Sequence, residues 1–415
     1  MKFKSFIIAA LCTIVQYYDY HLFGFLAARI SKHFFASSDS ISQLLEAYKI
    51  MLFGVLAKPV GALILGRIGD LYGRFATVII SLTGTSAASL LISITPGYEK
   101  IGILSAIILL CARMCVSGLV SSGTDGIRIY IFEKIGSKKQ CLGNGIITCS
   151  TQVGSFLAAL SAWFFSQDFM PYYSWRIAFM LGTVMGGLVI YIRLKYVFES
   201  DDDNKNDPEF DLYKNVNSLK LALKNWRIFI PSFLLAGCIG STYQFIIIFF
   251  GTYSFAALKI IDHTTMQFYT SIGVFIYMSF AVIGGMAADY FGKYKISKIA
   301  SIILTIITIA IGFEFSHNSI NVPLYFSAII ALPFITMPAL AFLKQAIPPV
   351  IRYRIFSLAH AIGSIAISAP TPFLSTYIYQ TTSISWLPLS YFIATIIIML
   401  LSINSLNKRA EASQS

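Results

Sequence analysis

Charge is scarce in this chain. Asp, Glu, Lys and Arg make up 12% of its 415 residues, while 56% are hydrophobic and mean hydropathy is +0.73. A soluble domain carries about a quarter charged residues, so a water-exposed globular fold is excluded. Catalytic signatures are missing as well. The sequence holds no Walker A phosphate loop, no His-Glu-x-x-His metal site and no Gly-x-Ser-x-Gly elbow. That argues against an enzyme and against an ATP-driven pump built from this chain alone. The six cysteines (Cys12, Cys111, Cys115, Cys141, Cys149 and Cys238) show neither the paired spacing of a disulfide framework nor a metal-type Cys-x-x-Cys. They read as buried free thiols, and no metal or cofactor is expected. Long polar stretches are lacking too. One runs through about 197–227, too short for a soluble domain, and a brief polar tail follows 405.

What remains is apolar sequence in long runs. Crossing the hydrocarbon core takes ~20 apolar residues per helix. Twelve segments meet that length, at about 5–27, 45–66, 75–95, 101–132, 142–166, 175–196, 228–256, 266–288, 296–314, 322–343, 355–378 and 385–405. They lack the period-two alternation of barrel strands. The expected fold is all-α integral membrane, with twelve transmembrane helices. The polar segment divides six from six, giving bundles at 1–196 and 228–405, a middle loop at 197–227 and a tail at 406–415. The first segment holds Tyr17, Tyr18, Asp19 and Tyr20 and no small-residue cleavage site, so it reads as a retained helix rather than a signal peptide.

The net charge of +12 raises the question of nucleic acid, and its distribution answers it. With the N-terminus inside, 22 of the 31 Lys and Arg fall on that side, against five on the other: Arg29, Lys32, Lys100, Arg176 and Lys259. Such a bias predicts both termini in the cytoplasm. The basic excess is a topology signal, and the partner it implies is the lipid surface. The middle loop turns from acidic to basic and is either a surface-lying helix or a solvated linker.

One short motif occurs twice, 219 residues apart: Gly66, Asp70, Gly73 and Arg74, then Gly285, Asp289, Gly292 and Lys293. Both copies read Gly, three residues, Asp, one residue, aromatic, Gly, basic. Both fall where one apolar run ends and the next begins. The glycines permit close helix approach and a tight turn. The aspartates are suited to accept from backbone N–H groups at a helix start, where the dipole favours an anion. The bases can pair across the loop. Such a latch holds two helices together in one conformation and releases them in another. A repeat at half the chain length predicts two halves related by pseudo-twofold symmetry.

This arrangement resembles the major facilitator superfamily, whose signature lies between helices 2 and 3 and recurs between helices 8 and 9. Further stretches narrow the resemblance to the metabolite:proton symporter family, which includes proline/betaine transporters. They are Tyr18-Asp19-Tyr20-His21-Leu22-Phe23-Gly24, Lys58-Pro59-Val60-Gly61, Pro96-Gly97-Tyr98-Glu99-Lys100-Ile101-Gly102, Tyr130 with Glu133 and Lys138-Lys139, Ser174-Trp175-Arg176-Ile177-Ala178-Phe179, and Arg352-Tyr353 with Phe356-Ser357-Leu358, Gly363 and Pro372. The chain departs from the family pattern in helix 4, where Ser121-Ser122-Gly123 replaces Gly-Gly-Glu. Gln16 stands for a first-helix Glu, and Val116-Ser117 for Gln-Gly.

Ionisable residues within spans are costly unless paired or hydrated, so they mark candidate sites. Asp19 is the first choice for a proton-linked acid, with a structural ion pair as the plain alternative. Arg113 occupies the place of the helix 4 arginine that the resemblance puts near the coupling site; it is also suited to bind a substrate carboxylate. Lys58 follows the family's basic residue. Asp125 and Arg128, three apart, share a helical face and suggest an internal salt bridge or a site. His21 is a candidate relay or a hydrogen-bonded helix histidine. Tyr17, Tyr18, Tyr20, Phe23, Tyr243, Phe245 and Tyr277 could cage a quaternary ammonium or simply pack.

The resemblance implies a secondary transporter of the inner (plasma) membrane, acting as a monomer without a cofactor. It would take up a small polar solute (a proline- or betaine-like osmolyte, an amino acid or a carboxylate) together with protons, through a site between the halves. The alternatives are exchange or facilitation on the same fold, or a nutrient sensor that does not transport.

Overall fold

A computed structural model describes residues 3–35, 39–134, 136, 139–196, 223–347 and 349–412; within these, the side chains of 66–78 and 121–127, among others, lie outside the described set. The described residues are almost wholly helical. Span α1 is Phe3–Phe25, followed by a short helix, Ala27–Phe34. Span α2 opens as Ser40–Val55, capped by the Asp39 carboxylate on Ser42 N (3.0 Å). It turns at Leu56 and Ala57 and re-enters a helix as Lys58–Ile94, with Pro59 in the first turn.

Lys58–Ile94 has 37 helical residues. Drawn straight it would reach about 55 Å, too long for one crossing. Its contacts show that it doubles back. A Cβ on Gly61 would run into the Gly118 carbonyl, and Ser81 Oγ donates to the Leu119 carbonyl at 2.7 Å. Two points 20 residues apart meet the same place on a neighbouring helix, so the segment forms two limbs. The first completes α2, and the second, which includes Ile79–Ile94, is α3.

The other spans are α4 (Leu104–Lys134), α5 (Gln140–Phe164), α6 (Trp175–Tyr196), α7 (Trp226–Ala257), α8 (His263–Phe291), α9 (Lys293–Ser316) and α10 (Val322–Gln345). Span α11 runs as Pro349–Gly363, Ser364–Ser368 and Pro370–Thr382, and α12 is Pro388–Ala412. The total is twelve, an even number, so both termini lie at one end of the bundle. That end is the terminal face below, and its opposite the far face.

The first six spans pack mainly with one another, as do the last six. Two helix pairs carry much of the contact between the halves, α5 with α8 and α2 with α11. Exchanging the halves turns one pair into the other, as a pseudo-twofold axis requires. Missing side chains let α5 and α8 approach closely: a Cβ on Gly285 would meet the Cys141 carbonyl, and one on Gly145 the Ala281 carbonyl.

Candidate seam cavity and its closing contacts

A cavity of about 150 Å³ lies on the seam between the halves. The first half contributes Tyr17, Tyr20 and His21 from α1, Lys58 from α2, Arg128 from α4, and Thr148, Thr151 and Gln152 from α5. The second contributes Tyr243 and Gln244 from α7, Tyr277 from α8, and His360, Ser364 and Ser368 from α11. Two of these helices are locally underwound to π-turns at the wall, over Gln244–Phe249 and Ser364–Ser368. A π-turn inserts a residue and turns side chains off the regular register, a common device at functional sites. Here it presents Gln244, Ser364 and Ser368.

Hydrogen bonds cross the cavity from half to half. Lys58 Nζ donates to Ser364 Oγ at 2.8 Å and lies 5.3 Å from the Tyr20 ring centre. Tyr243 O–H donates to Gln152 Oε1 at 2.9 Å, and its oxygen is 2.6 Å from Ser155 Oγ. The His21 ring sits 5.2 Å from both Tyr20 and Tyr243. Gln244 Oε1 is buried without a partner.

Asp19 and Arg113, the leading pair from sequence, are both buried but do not line this cavity. Asp19 lies against α3 and α6. Ser89 and Arg113 are the polar groups acting on it, and a Cβ on Gly182 would strike Oδ1. Neither carboxylate oxygen has a hydrogen-bond partner. Arg113 instead donates to the Tyr20 carbonyl at 3.3 Å, with its guanidinium 4.6 Å from the Phe23 ring centre and 5.6 Å from that of Tyr20. The structure does bring Lys58, Arg128 and His21 together around the cavity. The Asp125 side chain lies outside the described residues.

The second motif copy joins the halves at the terminal face. The Asp289 carboxylate, near the end of α8, accepts from Leu142 N at 2.8 Å and Cys141 N at 3.1 Å, the first turn of α5. These amides are among the donors a helix start leaves unpaired. Gly292 ends α8 at φ +97°, a region that favours glycine. Lys293 Nζ then donates to Gln140 Oε1 at 3.1 Å, with Gln345 Nε2 on the same oxygen at 2.5 Å. For the first copy (Gly66, Asp70, Gly73 and Arg74), the side chains fall outside the described residues.

Sequence reasoning did not single out Lys344. Span α10 continues past it to Gln345, and its side chain is fully buried. Its Nζ donates to Asn144 Oδ1 at 2.6 Å and to the Arg128 carbonyl at 3.4 Å, linking α10 to α5 and α4. A lysine at the end of a long, largely apolar run carries no periodicity signal, so only packing reveals it. At the far face, Gln267 Nε2 donates to the Phe25 carbonyl at 2.7 Å and Gln380 Nε2 to Ser42 Oγ at 3.0 Å. The seam is therefore bridged at both ends, with the polar cavity between.

Two six-helix halves, a polar cavity on their seam and bridges at either end make up the build of a membrane carrier. Residues 9–260, more than half the chain, match the family model described as Major Facilitator Superfamily, and the chain belongs to that superfamily. It is a transporter rather than an enzyme. A Staphylococcus aureus (strain COL) protein named "Putative proline/betaine transporter" is 26% identical over 97% of this chain and 88% of its own length. The citrate-proton symporter of Salmonella typhi is 25% identical over 89% of this chain and 85% of its own. Among solved structures, the xylose transporter XylE from E. coli in a partially occluded inward-open conformation superposes with a TM-score of 0.70 at 15% identity. That match covers 95% of each chain and speaks to the fold.

Proposed function

We propose that this protein takes up a small polar solute together with protons by alternating access of the seam cavity. Relatives along nearly the whole chain bear the names of a proline/betaine transporter and a citrate-proton symporter. The observation that carries the reading is the cavity itself, walled by both halves and crossed by Lys58–Ser364 and Tyr243–Gln152 bonds that must part for the halves to rock.

Lys58, Arg128 and His21 contact the solute in this reading. Asp125 lies one turn before Arg128 and serves the same end of the path. Asp19 is the proton-coupling acid: a carboxylate so enclosed must carry a proton or be matched by a cation. Arg113, within electrostatic reach, supplies that cation. Gly66, Asp70, Gly73 and Arg74 in one copy, and Gly285, Asp289, Gly292 and Lys293 in the other, form the latch that biases one state against the other. The protein works as a monomer in the plasma (inner) membrane with both termini in the cytoplasm, a placement that the distribution of Lys and Arg supports.

The test is solute accumulation in proteoliposomes under an imposed proton gradient. Proton coupling requires that a protonophore abolish accumulation. One observation favours exchange as a second reading: no carboxylate lines the cavity among the described residues. Counterflow that needs internal solute and ignores the gradient would identify it.

A further inference from the structure

We propose that the cavity is built for an organic anion, held by a carboxylate on Lys58, and not for a zwitterion such as a betaine. The inference rests on the carrier reading above and specifies its substrate class.

Charge is the first argument. Lys58 and Arg128 line the cavity, and among the described lining residues there is no Asp or Glu. Asp19, the one fully enclosed acid among the described residues, lies away from the cavity against α3 and α6, within electrostatic reach of Arg113, which sits behind Tyr20. Lys58 is only 9% exposed, and its contacts are a neutral hydroxyl and an aromatic face. A cation held this way is stabilised by an incoming anion, because burial without an opposite charge is costly. The ammonium of a zwitterion would meet the reverse: two cations and, among the described lining residues, no acid.

The aromatic rings supply the second argument. Caging a quaternary ammonium needs open ring faces. Tyr20 already has the charges of Lys58 and Arg113 within 5.3 Å and 5.6 Å of its ring centre. Tyr243 is flanked by His21 at 5.2 Å and Tyr277 at 5.5 Å. The rings pack on each other and on protein cations. The remaining polar wall, with Ser364 and Ser368, offers hydroxyl donors of the kind a carboxylate accepts.

Depth separates the two cations. Gly118 lies against the Ala57 carbonyl, beside Lys58, while Arg128 is ten residues further along α4. At 1.5 Å per residue this is about 15 Å nearer the terminal face. Lys58 is therefore the anchor, and Arg128 a second station on the path.

The experiment uses full-length purified protein and four probes at constant ionic strength: succinate, citrate, proline and glycine betaine. Ligand-dependent thermal stabilisation reads binding, and proteoliposome uptake reads transport. The expected result is saturable stabilisation by succinate or citrate and none by proline or betaine. Lys58→Gln should raise the midpoint concentration roughly tenfold or more, the scale of a lost charge-assisted bond, Lys58→Arg should recover most of it, and Lys49→Gln should leave it unchanged. Stabilisation by betaine or proline but by neither carboxylate overturns the inference, as does carboxylate binding indifferent to Lys58→Gln, or no stabilisation by either carboxylate. Should Lys58→Gln fail to fold, the wild-type selectivity among the four probes decides alone. Carboxylate binding without uptake under any gradient leaves the anion site standing and removes the carrier reading. Betaine uptake without carboxylate binding does the opposite.

Discussion

Asp289 of α8 caps the first turn of α5, its carboxylate 2.8 Å from the amide of Leu142, which lies 147 residues away in the other half of the molecule. A capping bond of this kind normally serves the helix that carries it. This one ties together two bundles that must separate if the carrier is to open at the terminal face. A charged cap on a helix start contributes about 1 kcal/mol, enough to shift a two-state balance several-fold.

Asp289→Asn should therefore loosen the terminal face. Cys141 is buried beside the cap and is a built-in reporter. Its labelling by a thiol reagent, localised by mass spectrometry, is expected to speed up roughly fivefold in the variant, the factor that about 1 kcal/mol gives. An unchanged rate would show that the cap does not govern opening.

Asp19→Asn should separate coupling from binding. Both carboxylate oxygens are buried without hydrogen-bond partners, so a neutral isostere breaks no hydrogen bond, but it removes the charge facing buried Arg113 and should lower the melting temperature. Accumulation driven by a proton gradient is expected to vanish while solute counterflow persists. Gradient-driven uptake at the wild-type level would remove Asp19 from the coupling role.

Gly285→Ala should obstruct the seam. The added methyl meets the Cys141 carbonyl, a backbone atom that yields only by moving the helix. Overpacking of this kind costs about 1–3 kcal/mol. A lower melting temperature and slower transport are expected, whereas Gly187→Ala, where a Cβ meets nothing within 4 Å, should change neither.

Lys344→Met should destabilise the closed terminal face, since it leaves Asn144 Oδ1 without its 2.6 Å donor in a buried site. An unsatisfied buried acceptor costs about 1–3 kcal/mol. Thermal melting of the solubilised protein measures the loss, and a double variant with Asn144→Leu should recover part of it.

At the far face, His33 makes stability depend on pH. Its Nε2 lies 2.7 Å from Arg176 Nη2. Partial burial and then the Arg176 charge hold its pKa below the usual histidine value; Glu99 opposes the shift and Lys100 adds to it. A histidine with a lowered folded-state pKa binds its proton more readily when unfolded, so stability rises with pH across that window and falls as pH drops through about 6.5. Melting temperatures between pH 5 and pH 7.5 should show a shallower slope in His33→Gln than in the wild type.

Much of the fold was legible before any coordinates, because a helix in lipid must be long, apolar and internally hydrogen-bonded. The span count, the all-helical class and the superfamily followed from that and from the repeated Gly–Asp–Gly–base motif. The site was legible only in part. Lys58, His21 and Arg128 stood out as ions within spans, and they line the cavity. Asp19 and Arg113 stood out equally and lie behind it, because a sequence shows that a charge is buried without showing which way it faces. Gln244 and Ser364 carried no signal, since a π-turn shifts the register of a wall residue without changing composition. Lys344 was hidden by its place at the very end of an apolar run.

By itself the sequence determined that this chain lives in a bilayer as two related sets of helices, since the cost of exposing polar backbone to hydrocarbon leaves no other arrangement for such long apolar runs. The tertiary structure alone decided which ions face the seam. That choice depends on helix rotation and on close glycine contacts between α5 and α8, set by packing among residues more than a hundred positions apart.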